Sequence, residues 1–280
     1  MNENFNLEKK MFNSSCISDY MGCPRLFYYT WIRGLKVKVE KPALLFGSAF
    51  HEVLLTWYKT GDMEKSIKEF DMLPTVMTDD HRTKEWGTAI FKQYVDRYRT
   101  EVGKTLHLEV KFRVEIGDRI YAGKIDRIEE WTGQIYVDDH KTTTRLGLAF
   151  FEGYRPHPQI DGYCFACKEL MGSCSGAVIN GISVAKNPKD RFQRFPSSRT
   201  AQEMEGWKEV FTDTTNDILR DVERMHFPKR TTHCNRWGKC KFWQLCVYGD
   251  DERYVEQNFR IEDMTKEVEK DGVDNTEKEK

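Results

Sequence analysis

Two aspartates and a lysine on what read as neighbouring strands carry the strongest chemical signal in the chain. Asp126 closes the run Gly123-Lys124-Ile125-Asp126, and Asp139 and Lys141 fall in Asp138-Asp139-His140-Lys141-Thr142. Side chains alternate along a strand, so Asp139 and Lys141 share one face, Asp138 and His140 the other. Asp126 reaches the Asp139 face if the register between the strands allows. Two carboxylates so placed form a hard-oxygen site for Mg2+ or Mn2+. A cation held there lowers the pKa of a coordinated water and neutralises charge on a phosphodiester oxygen. A lysine beside it can orient or deprotonate that water and stabilise the charge that develops. A bare Asp-x-Lys is far more often an exposed ion pair, so the reading depends on its company.

That company is specific. Gly47-Ser48-Ala49-Phe50-His51 sets a histidine one helical turn after a glycine, available as a nitrogen ligand. Gln159 and Tyr163 stand at i and i+4, on one face of a helix just after the third strand. Both are polar where a purely structural helix would turn apolar residues to the sheet. Glu109 lies on the polar face of the first strand and reads as an ordinary exposed carboxylate rather than an extra ligand.

Taken in order, Gly47-x-x-x-His51, Gly123-x-x-Asp126, Asp139-His140-Lys141-Thr142 and Gln159-x-x-x-Tyr163 resemble the four motifs of the RecB-like PD-(D/E)XK nucleases. The resemblance implies that His51, Asp126 and Asp139 bind a divalent metal and that Lys141 is the catalytic lysine. It implies that Gln159 and Tyr163 position the DNA and the active site. His140 departs from the family, which usually carries an aromatic such as tyrosine there. Its side chain is expected to face away from the site, with little catalytic consequence.

Of eight cysteines, Cys234, Cys240 and Cys246 repeat with five residues between neighbours. Three thiolates leave one ligand missing for tetrahedral Zn2+ or a cubane cluster, and Cys23 in Gly22-Cys23-Pro24-Arg25 is the candidate. One early and three late cysteines, with Tyr20-x-x-Cys23-Pro24-Arg25-x-Phe27-Tyr28, resemble the iron–sulfur nucleases. Among these are the AddB nuclease domain and the CRISPR-associated single-strand exonucleases. The resemblance implies a [4Fe-4S] cluster that staples the chain's two ends, with a structural role. The even spacing departs from the commoner form, in which two of the three are separated by only two residues, which keeps Zn2+ as an alternative occupant and His233 as a substitute ligand. Cys164-Phe165-Ala166-Cys167 falls inside a helix rather than at its opening, so with Cys174 and Cys16 it reads as small buried residues.

Net charge is −1 and the pI near 6.7, which excludes a globally basic nucleic-acid binder but not a local groove. Cations interleave with aromatics over Arg25 to Lys41, Lys186 to Arg199, and Lys229 to Lys241 with Trp237. Such mixtures suit single strands, whose bases stack and whose phosphates seek cations. Arg25, Arg33 and Tyr163 are the expected DNA contacts. The expected partner is DNA, single-stranded or at duplex ends, with recombination or CRISPR-adaptation proteins as further partners. No apolar run approaches the ~20 residues a bilayer demands, and the polar start lacks a signal-peptide core. A cytoplasmic protein of a bacterium, an archaeon or a phage-infected host is expected.

These residues need a scaffold, and the pattern supplies one. Helices are expected near residue 14, from Pro24, over 43–58 and over 86–99. Alternating strands follow over 106–116, 119–128 and 134–142, with turns at Gly117-Asp118 and Thr132-Gly133. Then come a helix over 159–171, a strand over 177–184 and a long helix over 201–224. The layout is α/β with a mixed central sheet flanked by helices, the PD-(D/E)XK core, its termini joined by the cysteine-ligated cluster. One nuclease domain is expected over 13–250. Its catalytic core spans about 43–185, and its cluster-binding segments are 16–34 and 228–249. Residues 1–12 read as flexible, and 251–280 as an extension disordered from about 265. The whole reads as a Mg2+- or Mn2+-dependent exonuclease for recombination, repair or CRISPR-type processing. The alternative is a non-catalytic iron–sulfur or zinc DNA-binding scaffold.

Overall fold

The computed structural model describes residues 9–74, 79–100, 103–236, 238–264, 266 and 268–269. The chain opens with β1 (Met11–Phe12) and α1 (Ser14–Gly22). Asn13, not one of the nearby serines, caps α1: its side-chain oxygen accepts the Cys16 N–H at 2.9 Å. α2 (Pro24–Phe27) starts on a proline, whose missing N–H costs nothing at the first helical position, and runs into a π-helical turn over Tyr28–Ile32. After β2 (Leu35–Val37), α3 (Pro42–Thr60) ends at Gly61, whose φ of 65° makes the left-handed cap. α4 (Met63–Lys68) and α5 (Lys84–Arg97) follow.

The meander is β3 (Lys104–Ile116), β4 (Arg119–Trp131) and β5 (Gln134–Thr143). Thr132 and Gly133 both take positive φ, 49° and 79°, the backbone a tight two-residue hairpin needs. α6 (Leu148–Glu152) and α7 (Pro158–Met171) lead to β6 (Gly176–Ser183), β7 (Phe192–Ser198) and α8 (Ala201–Glu223). The chain continues through α9 (Trp243–Tyr248), α10 (Glu252–Asn258) and β8 (Phe259–Ile261).

Two of these elements correct the sequence reading. The alternation expected along β3 holds only at its end, where Phe112, Val114 and Ile116 are buried; Leu106, Leu108 and Val110 are only partly covered. Glu109 takes a φ of 52° and breaks the pleat between the two halves. The basic-aromatic stretch over 186–199 contains a strand, β7, paired antiparallel with β6.

The chain divides into two compact units. The first comprises Met1–Val39, Lys111–Lys124 and Glu205–Lys280. Here β1 pairs in parallel with Ile120 and Tyr121 of β4, and β2 pairs antiparallel with β8, Leu35 opposite Ile261. Leu26, Tyr29, Leu35, Phe242, Leu245 and Phe259 form its buried cluster. The early and late segments expected to be joined by a metal cluster are joined here by a strand pair and a shared core. Met264 and Val268 are buried as well, and residues 270–280, part of the tail expected to be disordered, lie outside the described residues.

The second unit comprises Glu40–Val110 and Ile125–Met204. β5 pairs antiparallel with β4 from Arg127 onward and parallel with β6, which pairs antiparallel with β7: a mixed sheet. Every residue of β6 is buried, as a strand covered on both faces requires. Phe46 and Phe50 of α3, with Phe70, Ile90 and Phe91, pack with Ile182 and Val184 of the strand side. Each such ring withdrawn from water contributes roughly 1.5–3 kcal/mol, so α3 is firmly seated over the sheet. α7 packs against β5 and β6. Among the described residues no helix is long and apolar enough to cross a membrane.

Candidate active site

The register of β4 and β5 opens the site. Their pairing runs from Trp131↔Gln134 to Arg127↔Asp138. Beyond it the Asp126 carboxylate takes the place of a ladder partner, accepting the His140 backbone N–H at 3.2 Å. Asp139 and Lys141, two residues apart on one face of β5, form an ion pair with Nζ 2.6 Å from Oδ2. Asp139 is 2% exposed, and its Oδ2 has no other polar partner.

Two helices complete the arrangement. His51 of α3 places Nδ1 3.3 Å from Asp126 Oδ2, and its Nε2 lies 2.8 Å from the His140 carbonyl oxygen. Gly47, one turn earlier, lets α3 lie close to β5: a Cβ there would meet Thr142 Oγ1 at 3.5 Å, so alanine fits and larger side chains crowd the strand. From α7, Gln159 Oε1 accepts from Lys141 Nζ at 3.2 Å, and Gln159 Nε2 donates to the Tyr163 hydroxyl at 3.2 Å. Tyr163 is itself buried. The six motif residues of the second unit therefore form two linked pieces, Asp126–His51 and Asp139–Lys141–Gln159–Tyr163.

The electrostatics separate the two carboxylates. Burial raises the Asp126 carboxyl, but His51, His140 and Lys141 together outweigh it and hold the group well below the usual range. Burial pushes Asp139 up, Lys141 opposes this, and the nearby Asp126 charge adds to the rise. Burial would lower His51 and Lys141; Asp126 overcomes it at the first and Asp139 with Asp126 at the second, so both stay cationic more readily than usual. Among the described residues, no three His, Cys, Asp or Glu side chains already stand at metal-ligand spacing. Asp139 Oδ2 and Asp126 Oδ2 are instead engaged by Lys141 and His51.

Several residues near this centre were not singled out by the sequence. Tyr154 and His157, between α6 and α7, have ring centroids 5.2 Å apart, and both sit in the field of Lys141. Burial first, then Lys141, lowers His157, and its buried Nδ1 has no hydrogen-bond partner. The segment is held by Arg199, which donates to Asp161 at 2.6 Å, to Ser197 Oγ at 2.7 Å and to the Tyr154 carbonyl. Asp161 in turn accepts the His157 N–H at 3.0 Å. Spacing alone could not find these residues, because their proximity to Lys141 depends on where α7 begins over β5.

The opposite face of β4 and β5 carries a buried charged network. Arg127, fully buried, donates to Asp138 at 2.9 Å and to Glu129, with its guanidinium 4.4 Å from the Tyr58 ring centroid. The His140 side chain joins this face, as expected, with Nδ1 3.0 Å from Asn180 Nδ2; yet its ring also meets His51 edge-on at 5.8 Å. Glu109, read as an ordinary exposed carboxylate, instead helps line a small cavity with His51, Tyr58, Asp126 and His140.

The expected DNA contacts Arg25 and Arg33 belong to the first unit. Arg25 lies over the Tyr28 ring at 5.4 Å, and Arg33 pairs with Asp250 at 3.0 Å. In the second unit, Lys186 and Arg191 flank Trp86 at 4.9 and 5.1 Å, and Arg191 also donates to the Ser183 and Ala185 carbonyls. Trp237 lies outside the described residues.

Within the first unit, Cys23, Cys234, Cys240 and Cys246 all line one cavity of about 390 Å³, together with His233 and Phe242. Cys23 Sγ accepts the Arg230 N–H at 3.3 Å. Gly22 leaves room for the His233 ring, which a Cβ would strike at 2.7 Å. Gly238, at φ 84°, turns the chain between the late cysteines.

The profile of the PD-(D/E)XK nuclease superfamily matches residues 12–247. A comparison with curated protein sequences finds no match. A provisionally named exonuclease from Eubacterium rectale shares the fold, with a TM-score of 0.53 at 14% identity over 88% of this chain and 90% of its own. SSO0001 aligns over 86% of this chain and 88% of its own at 12% identity, with a TM-score of 0.37. The chain belongs to the PD-(D/E)XK nuclease superfamily.

Proposed function

We propose that this chain is a divalent-cation-dependent deoxyribonuclease, acting as an exonuclease on single-stranded DNA or DNA ends. The carrying observation is the approach of Lys141 to Asp139 beside the Asp126–His51 pair. The donor set fits Mg2+ or Mn2+: two carboxylates, one with a buried oxygen whose only polar neighbour is an ammonium, and an imidazole beside the other. His51, Asp126 and Asp139 would hold the cation. Such a cation supplies a nucleophile at neutral pH and neutralises phosphate charge.

The chain's own residues do the rest. Lys141, released from Asp139, turns its ammonium to the scissile phosphate and stabilises the charge that grows on it. Gln159 holds Lys141 in line, and Tyr163 fixes the Gln159 amide so that its oxygen rather than its nitrogen faces the ammonium. The name of the Eubacterium rectale relative supports the exonuclease mode, and the aromatic pair Tyr154–His157 in the field of Lys141 supports an unpaired strand, whose bases are free to stack.

The test is incubation with end-labelled single-stranded and duplex DNA in Mg2+, Mn2+ and EDTA. Progressive shortening of the single strand in either metal, abolished by EDTA, is expected. DNA binding without cleavage in every metal condition would instead favour the scaffold reading.

In the first unit the four-cysteine cavity supports a [4Fe-4S] cluster with a structural role. Iron and acid-labile sulfide in anaerobically prepared protein are expected, both lost in Cys23→Ser. Colourless protein with one equivalent of zinc would assign the site to Zn2+.

A further inference from the structure

The loop between β6 and β7, in the second unit, gathers two cations that the active site does not use. Lys141 stands level with Gly181 in the parallel register of β5 and β6, and Thr143 with Ser183. The Val184 N–H then donates to the Thr143 carbonyl at 2.8 Å, and the chain leaves the sheet until β7. The loop therefore begins at the carboxyl ends of the parallel pair, where α/β sheets bind their ligands. At ~3.3 Å per strand residue, Val184 lies ~10 Å beyond the level of Lys141.

Two anchors fix this loop. Arg191 donates to the Ser183 and Ala185 carbonyls at 2.9 Å each and to the Lys186 carbonyl at 3.1 Å. Trp86 Nε1, from α5, donates to the Val184 carbonyl at 2.8 Å, while its indole packs against the phenylalanine core under α3. On that indole sit the Arg191 guanidinium, 5.1 Å from the ring centroid, and the ammonium of the exposed Lys186, at 4.9 Å. Closing the loop uses Arg191 alone. Among the described residues no carboxylate pairs with either cation. Two like charges held on one ring repel each other, a cost that an anion between them removes.

We infer that Lys186 and Arg191, gathered on Trp86, form a backbone-phosphate subsite for the uncut stretch of a single DNA strand whose scissile phosphate lies at Lys141. The inference rests on the nuclease reading above and adds to it the path of the strand. The indole already carries two cations, so the subsite takes phosphate rather than a stacked base, and it is indifferent to sequence. Spanning ~10 Å takes about three nucleotides at the ~3.4 Å spacing of a helical strand, and fewer in an extended one. A strand too short to reach from Lys141 to the loop gains nothing from it. Lys189, exposed in the same loop, has its charge away from the indole and serves as the internal control.

The experiment measures binding of labelled oligothymidylate, roughly a dozen nucleotides long, by fluorescence anisotropy across a salt series without added divalent metal, so that no strand is cut. Lys186→Gln is expected to lower affinity roughly fivefold at low salt and to reduce the slope of log affinity against log salt by ~0.7, the single-strand value for one phosphate contact. Lys186→Arg should restore the slope, and Lys189→Gln should leave it unchanged. In Mg2+, Lys186→Gln should raise KM for the long strand with kcat unchanged, and should leave cleavage of a dinucleotide as it is. The subsite is overturned if Lys186→Gln keeps the full slope while the unaltered protein binds and cuts DNA, if Lys189→Gln lowers the slope equally, or if the dinucleotide is affected as strongly as the long strand. Failure of the unaltered protein to bind or cut any DNA would instead overturn the nuclease reading on which the subsite rests.

Discussion

Lys141 Nζ sits 2.6 Å from Asp139 Oδ2 on its own strand and 3.2 Å from Gln159 Oε1 on the helix above it. One ammonium thus bridges two elements, held by a charged acceptor and a neutral one. Moving it onto a phosphate gives up the first contact and can keep the second, which is what a positioned lysine requires. Lys141→Ala is therefore expected to lower single-turnover cleavage by roughly 10²–10³-fold, the worth of one preorganised charge donor, with an unchanged circular dichroism spectrum. Lys141→Arg should rescue little, because a planar guanidinium cannot replace a point charge between two fixed acceptors. Near-normal cleavage by Lys141→Ala would remove the lysine from the chemistry.

The Tyr154–His157 pair leads to a different expectation. Its rings sit in the field of Lys141 but pair with neither carboxylate, so they are suited to gripping the nucleotide rather than to the bond-breaking step. Tyr154→Ala should raise KM for single-stranded DNA by roughly tenfold, the worth of one aromatic–base stack, and change kcat little. A fall in kcat with KM unchanged would instead place Tyr154 in the chemical step.

Glu129 gives the fold a pH dependence that can be read separately from activity. Its carboxyl is fully buried and, against Arg127, burial and the Asp138 charge push it up to about 7. The unfolded chain releases this proton near pH ~4.3, so between there and about pH 7 the folded state binds more protons and stability falls as pH rises. The slope approaches ~1.4 kcal/mol per pH unit within that window and vanishes outside it. Glu129→Gln should flatten the curve, gaining on the wild type at pH 8 and not at pH 4, measured by urea unfolding across that range. An unchanged slope in Glu129→Gln would assign the pH dependence to another group.

Much of this was legible in the sequence, for reasons that differ by residue. The β3–β4–β5 meander announced itself through alternation and through turn residues at 117–118 and 132–133, and the motif spacings put Asp139 and Lys141 on one strand face. What stayed hidden depends on long-range placement. Asp126 reaches its position because the β4–β5 ladder ends one residue earlier, a tertiary event with no composition signal. Glu109 hid behind an apparently regular strand, because a carboxylate in left-handed backbone looks like any other polar residue in an alternating run. β2 and β8 are only three residues each, and their pairing joins positions 35 and 261. Arg127 and Glu129, two residues apart on one face with Asp138 opposite, form a buried set that only the strand pairing brings together.

The most direct test of the account is Mn2+ binding, followed by electron paramagnetic resonance, in protein with no DNA present. If Asp126 and Asp139 share one cation, Asp126→Asn and Asp139→Asn should each weaken that site at least about tenfold, since removing a carboxylate ligand costs more than ~1.4 kcal/mol. Lys141→Ala should bind Mn2+ as tightly as the unaltered protein or more so, because the ammonium competes with the cation for Asp139 Oδ2. Unchanged Mn2+ affinity in both asparagine variants would contradict the shared site and, with it, the catalytic assignment.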